Sequence, residues 1–440
     1  MLVRRFSIAL LVLAASVSAA TFPPINYRHR TLANGLEVYS IEDHATPTVA
    51  INVWYRVGSK NDPEGRSGFA HLFEHIMFKA TAHMKPEMLD RLTEDVGGAN
   101  NAYTHPDRTV YYEIIPSNYL QTLLWAEGER MGSLTVDEAN FKSERDVVKE
   151  EFRFRVLAPS YGRLGYAITK DSYAVHPYRR PGIGSIEELD AATLADVQAF
   201  HATYYRPDNA VLIVAGDLDP KQFDAWVDRY LGTVPRPSTP IPRVTDGEPA
   251  RTEEKHFDEH GANVPLPAVA LTWLIPNARS DDSEPLDVAA TILSDGDSSR
   301  LYQSLVYKKQ LAQSASANAE TREDTGLFTA RAVMASGKRT DDGMAALRDE
   351  ITALAAKPVT SAELDKAKNL IITSALRERE TNDGKAGALG EAITQYHDAT
   401  YVNRGLGRLQ AVTAADVQRV VKKYLVDGKA VTITYTSEAK

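Results

Sequence analysis

Residues His71 to Phe78 read HLFEHIMF, and three of the eight are types that hold and use a metal ion. On an α-helix, histidines four residues apart stand one turn from each other, about 5–6 Å between β-carbons. Both imidazoles can then reach one Zn²⁺ at about 2.0–2.1 Å. Glu74 lies on the same arc as His71 and His75. It can take a proton from a water activated by the metal without ligating the metal itself, which is the division of roles that metal-assisted hydrolysis requires. Two solvated or core-satisfied histidines are the ordinary alternative, so the motif needs a third ligand. A catalytic zinc site usually has three protein ligands and an open position. The segment SERDVVKEEFRFRV from Ser143 supplies Glu144 and Glu151 on one helical face, with Glu150 turned about 100° away. Any charged helix offers such carboxylates, so spacing alone leaves the choice between them open.

The elements that must position these groups are legible nearby. Phe69, Leu72, Phe73 and Ile76 form an i, i+3, i+4, i+7 apolar stripe, which turns His71, Glu74 and His75 away from the core. Farther along, LADVQAFHATYYRPDNAVLIVAGD begins at Leu194 and AADVQRVVKKYLVDGKAVTITYTS begins at Ala414. The shared ADVQ, the pair Tyr204 and Tyr424, and the matching Ala-Val dipeptides fall at one ungapped offset, so the chain reads as a duplicated unit. Strand-like runs from Thr48 and Pro267 set Trp54 opposite Trp273. Carried forward, that register puts Ala290, Thr291, Ile292, Leu293 and Ser294 opposite the residues from His71 to His75. A helix needed only for packing would not require His and Glu, so their presence in one copy points to chemistry there.

The expected fold is α+β: two homologous domains, each a mostly antiparallel sheet covered by helices, related by duplication. The expected boundaries are 21–233 for the zinc-bearing domain, 234–256 for a Pro-rich linker, and 257–440 for the second domain, which lacks the metal motif. Residues 1–20 read as a signal peptide: Arg4 and Arg5 precede an apolar run and the small-residue stretch AASVSAA, with cleavage expected near Ala19 or Ala20. No later segment approaches the roughly 20 apolar residues of a spanning helix, so no membrane anchor is expected after cleavage. Cysteine is absent, which removes disulfides and a lipid-modified N-terminal cysteine; for a bacterial chain this points to the periplasm. A formal charge of −9 argues against nucleic-acid binding, which needs clustered Lys and Arg.

HLFEH, ERDVVKEE about 70 residues later, GGANNAYTHPDRTVYY, HPYRRP and YYRPDNAVLIVAGD together give a specific match. The chain resembles the pitrilysin-type inverzincin zinc metallopeptidases, in the branch of mitochondrial processing peptidase and its bacterial relatives, over nearly all of its length after the signal. That resemblance implies zinc as cofactor, His71, His75 and Glu151 as ligands, and Glu74 as general base. It gives Glu144 the task of orienting a ligand or the water. NNAYT would be the edge strand to which an extended peptide adds, with Asn101 and Ala102 beside the scissile bond and Tyr103 lining the pocket for the side chain after it. Active single-chain relatives carry an Arg and a Tyr seven residues apart in the second half. Here Val306 and Gln313 stand at those positions, and Tyr307 is one residue out of register. The resemblance therefore implies the zinc-bearing subunit of a heterodimer whose homologous partner supplies the Arg and Tyr. A non-catalytic peptide-binding or scaffold subunit is the alternative that the same two replacements favour.

Overall fold

The computed structural model describes residues 22–438. The expected export signal at 1–20 lies outside the described residues. Strands β1 (Arg28–Thr31), β2 (Glu37–Glu42), β3 (Thr48–Tyr55), β4 (Ala99–Thr104), β5 (Thr109–Pro116) and β6 (Ala210–Gly216) form one sheet in the order β1-β2-β6-β3-β5-β4. Strands β7 (Lys255–Gly261), β8 (Ala268–Ile275), β9 (Ala312–Glu320), β10 (Gly326–Met334) and β11 (Val431–Ser437) form the second, in the order β7-β11-β8-β10-β9. Without β1, the two orders coincide. In both sheets the parallel pair is the first shared strand with the last, β2 with β6 and β7 with β11, and the other pairings are antiparallel. The fold is α+β and duplicated, as the repeat predicts, and Trp54 and Trp273 occupy the equivalent central strands.

Burial explains the residue choices. Strand β6, AVLIVAG, is buried throughout, because both faces of a central strand are covered and alternation is unnecessary. Strand β4 lies at the edge and is mostly uncovered, with only Ala102 fully buried. Helix α1 (Phe69–Ile76) packs its stripe of Phe69, Leu72, Phe73 and Ile76 into the main core of the first half, all four at 0% exposure. At about 1.5–3 kcal/mol for each fully buried large apolar side chain, this stripe fixes the helix rotation that presents the polar trio. The other helices that matter are α2 (Glu138–Phe152), α3 (Gly162–Ser172), α4 (Leu194–Tyr204), α5 (Ser283–Ser294), α6 (Ser361–Glu378), α7 (Asn382–Thr394), α8 (Tyr401–Ala411) and α9 (Ala414–Val420). The ADVQ helices α4 and α9 start with the same reciprocal cap, Thr193 with Asp196 and Thr413 with Asp416.

Each half covers the outer face of the other's sheet. Ala386, Leu389, Ala392 and Ile393 of α7 form one core with Trp54, Val110, Val211 and Ile213 of the first sheet. Leu164 of α3 joins Ala268, Ala270, Val431 and Ile433 of the second. A buried charge cluster ties the β4–β5 turn to the β9–β10 turn: the Lys60 ammonium lies 2.9 Å from Asp107, 2.5 Å from Glu323 and 3.3 Å from Asp324, and the Tyr178 hydroxyl donates to Asp107. The stretch 231–254 holds no helix or strand, and β7 begins at Lys255, inside the span expected as linker. Among the described residues, no helix is long and apolar enough to cross a membrane.

Candidate metal centre and peptide edge

Helix α1 starts from Gly68, whose φ of 93° only glycine adopts without strain, and a side chain there would press on Gly184 and the Ile183 carbonyl at 3.0 Å. The buried Asp62 carboxylate takes the place of a capping side chain, accepting from the Gly68 and Ala70 amides at 2.7 and 2.9 Å. At the other side, the Tyr111 hydroxyl donates to the Phe73 carbonyl at 3.1 Å. The helix is thus fixed at its start and its middle. Helix α2 is started by Asp137, which accepts from the Asn140 amide, and buries Phe141, Glu144, Val148 and Phe152. This rotation brings Glu144 and Glu151 toward α1 and leaves Glu150 outside, beside Arg153.

The two helices bring four of the expected groups together. The Nε2 atoms of His71 and His75 stand 3.4 and 3.3 Å from Glu151 Oε2. Among the described residues, His71, His75 and Glu151 form the one group of possible metal ligands, each offering an atom within 4.8 Å of the others. Glu144 Oε2 lies 3.7 Å from His75 Nδ1, while its other oxygen is 3.0 Å from the Lys79 ammonium. Glu151 also pairs with Arg155 at 2.9 Å. Of the two carboxylates left open by spacing, Glu151 faces both imidazoles and Glu144 faces the Nδ1 side of one.

Electrostatics fit a cation. Burial, helped by the neighbouring His75, pushes the His71 imidazole down, so it stands neutral and able to donate a lone pair. Burial works against charge on His75 too, but Glu144 and Glu151 outweigh it and raise that imidazole to about 9. A proton on His75 therefore stands where a metal ion would replace it, since ligands bind deprotonated. Two imidazoles and one carboxylate are a donor set that suits a zinc ion.

Glu74 is outside this trio. Its Oε2 accepts from the Thr104 hydroxyl at 2.6 Å, and burial raises its carboxyl above the ordinary range, with Thr104 acting in the opposite sense. Thr104 belongs to NNAYT, and residue type alone does not mark it as Glu74's partner. Strict alternation along the strand, which puts residues 100, 102 and 104 on one face, was the available signal. The same alternation separates the other expected residues. Ala102 faces α1 with Thr104, whereas Asn101 is exposed and the Tyr103 ring meets Trp54 edge-on at 6.4 Å on the opposite face of the sheet. In the second half, α5 lies along the edge strand β9 as α1 lies along β4, but Ser294 donates to the Ala317 carbonyl at 2.9 Å. Val306 packs against the second core, Gln313 is exposed and Tyr307 is 67% exposed.

Comparison with known proteins gives this geometry its context. The description "Insulinase (Peptidase family M16)" matches residues 37–177, and "Peptidase M16 inactive domain" matches residues 191–371. A protein of Helicobacter pylori named zinc protease PqqE is 32% identical over 97% of this chain and 96% of its own length. The chain belongs to peptidase family M16. Within M16, a probable mitochondrial-processing peptidase subunit beta of Arabidopsis thaliana is 26% identical over 91% of this chain and 76% of that protein. The crystal structure of a Helicobacter pylori protease matches with a TM-score of 0.88 at 29% identity, covering 93% of this chain and 99% of the other. The M16 peptidase match over residues 37–177 spans His71, Glu74, His75 and Glu151, and the "inactive domain" match, which begins in the last elements of the first half, spans α5, which lacks them.

Proposed function

We propose that this chain is a zinc-dependent endopeptidase of extended, unfolded peptides, exported to the periplasm and working with a homologous partner subunit. The observation that carries the reading is the meeting of His71, His75 and Glu151 from two helices beside Glu74, which is itself held by the edge strand β4. His71, His75 and Glu151 would hold the zinc, which when bound supplies Lewis acidity toward the scissile carbonyl and water. Among the described residues strand β4 has one unpaired edge, so a peptide adds there through main-chain hydrogen bonds with little dependence on its side chains. Glu74 accepts a proton from the attacking water as its oxygen bonds to the carbonyl carbon. The same carboxyl then gives that proton to the leaving amine as the C–N bond breaks. Thr104 aims Glu74, and Glu144 with Lys79 steadies His75 from behind.

Val306 and Gln313 provide neither a guanidinium nor a phenol for the developing oxyanion, which supports a partner that does. The same replacements support the second reading, a peptide-binding subunit without catalysis. The test is cleavage of an unstructured peptide by the purified chain, with and without a homologue that lacks HxxEH but carries the Arg and Tyr. Cleavage by the pair, lost in Glu74→Gln, is the expected result. No cleavage in either arm, with zinc present, would favour the second reading.

A further inference from the structure

Three ionisable side chains are sealed behind the metal helix and take no part in the chemistry above. Glu113 of β5 is 0% exposed, and Glu127 and Arg130, one turn apart on the helix Leu120–Ser133, are 0% and 1% exposed. Arg130 presents two nitrogens to Glu127 as a fork, with Nε 3.2 Å from one carboxylate oxygen and Nη2 on the other. Nη2 also reaches Glu113 Oε1 at 3.0 Å. The second oxygen of Glu113 has no hydrogen-bond partner among the described residues. Two carboxylates on one guanidinium leave an excess negative charge in a site closed to water, and a proton on one of them removes it. The fork marks Glu127 as the ionised partner, because bidentate pairing engages both of its oxygens. Glu113, with one contact, is then the neutral acid. Burial, with the charge of Glu127 beside it, pushes its carboxyl well above the ordinary range.

One ring joins this triad to α1. The Arg130 guanidinium lies 4.5 Å from the centre of the Tyr111 ring, and 5.6 Å from that of Phe78 just past the end of α1. Tyr111 stands opposite Ala102 in the pairing of β5 with β4, so both face α1. Its hydroxyl donates to the carbonyl of Phe73, the residue immediately before Glu74. Glu74 is thus held twice from the sheet: Thr104 on β4 holds its carboxyl, and Tyr111 on β5 holds the backbone that carries it.

We propose that Tyr111 is a positioning residue for Glu74 and that the buried triad seats its ring: Arg130 fixes the ring face, the hydroxyl fixes the Phe73 carbonyl, and the height of Glu74 above the edge strand follows. The catalytic consequence rests on Glu74 as the base, whereas the seating of α1 does not. Hydrogen exchange of the α1 amides in the full chain, read by mass spectrometry, tests the seat without turnover. Tyr111→Phe keeps the ring and removes the hydroxyl, so these amides should exchange about fivefold faster, as the loss of one neutral hydrogen bond implies. Glu113→Gln puts an amide where a neutral acid stands and should keep wild-type exchange. The same change at Glu127 strips Arg130 of its counter-charge and should loosen α1 at least as much as Tyr111→Phe, which carries the test alone if Glu127→Gln does not fold. In peptide cleavage with the partner subunit, Tyr111→Phe should lower kcat about fivefold with KM and zinc content held. Unchanged exchange in Tyr111→Phe overturns the proposal, as does equal loosening by Glu113→Gln and Glu127→Gln. A loosened helix with full kcat overturns the positioning of Glu74. A wild type that cleaves nothing counts against the endopeptidase reading instead, and the exchange data still decide the seat.

Discussion

Thr104→Val removes one hydroxyl from the edge strand and keeps its shape, and its effect can be worked from a single contact. The lost bond is 2.6 Å long and ends on the Glu74 carboxylate. Hydrogen bonds to charged groups contribute about 1.5–3 kcal/mol, and Glu74 is only partly enclosed, so the lower end applies. That corresponds to about a tenfold loss in kcat/KM at neutral pH. The sign of the pH effect follows from the direction of the shift. Burial already holds the Glu74 carboxyl above its ordinary value, and Thr104 opposes this by bonding to the charged form. Without Thr104 the carboxyl rises further. A base works when ionised, so the acid limb of the kcat/KM profile moves to higher pH and part of the loss returns on the alkaline side. The assay is a quenched fluorescent peptide across the pH range, with the partner subunit present, beside the zinc content of each variant. Thr104→Ser should restore both rate and limb, and zinc should stay at the wild-type level. An unmoved acid limb in Thr104→Val, or zinc lost with the hydroxyl, would refute the assignment of Thr104 to Glu74.

The junction between the halves should respond to acid. Asp107 is buried, which alone would raise its carboxyl, but Lys60 holds it below the ordinary range. Its contribution is therefore complete above the unfolded carboxyl's range near pH 4 and is lost as pH falls below that. Thermal melts of Asp107→Asn against wild type should converge as pH drops from 5 to 3, a flat difference being the contrary result. At neutral pH the substitution should cost about 1.5–3 kcal/mol, because Lys60 keeps Glu323 and Asp324 as partners. Gly390→Ala tests the seat of α7 on the first sheet. Its new carbon would stand 2.1 Å from the Trp54 ring, which is 1% exposed. A loss of about 1–3 kcal/mol in chemical denaturation and a changed Trp near-ultraviolet signal are expected. Wild-type behaviour would place α7 elsewhere.

How much could be read from sequence depended on the kind of information each residue carries. HLFEH contains both its helical period and its chemistry, so the rotation of α1 followed from Phe69, Leu72, Phe73 and Ile76. The duplication was equally legible, because ADVQ and the two tryptophans fix a register that the paired sheets repeat. Spacing left Glu144 and Glu151 equivalent, since both lie on the face of α2 that turns toward α1. What separates them is the height at which α2 crosses α1, a tertiary fact. The role of Thr104 was hidden for a similar reason: alternation sets its face, but not which side chain meets it. The exchange of α3 and α7 between the halves left no local signal. Ala386, Leu389 and Ile393 form an apolar stripe that would suit either sheet. Tyr103, expected by resemblance to line the pocket for the side chain after the scissile bond, is turned by the strand's own period to the face away from Glu74, toward Trp54.

The central claim is that three side chains hold an ion and a fourth does not. It is tested most directly by metal analysis of the purified full chain and two variants measured side by side. The account predicts about one zinc per chain in both wild type and Glu74→Gln, and a small fraction of that in Glu151→Gln. Equal zinc in all three, or its disappearance from Glu74→Gln, would contradict it.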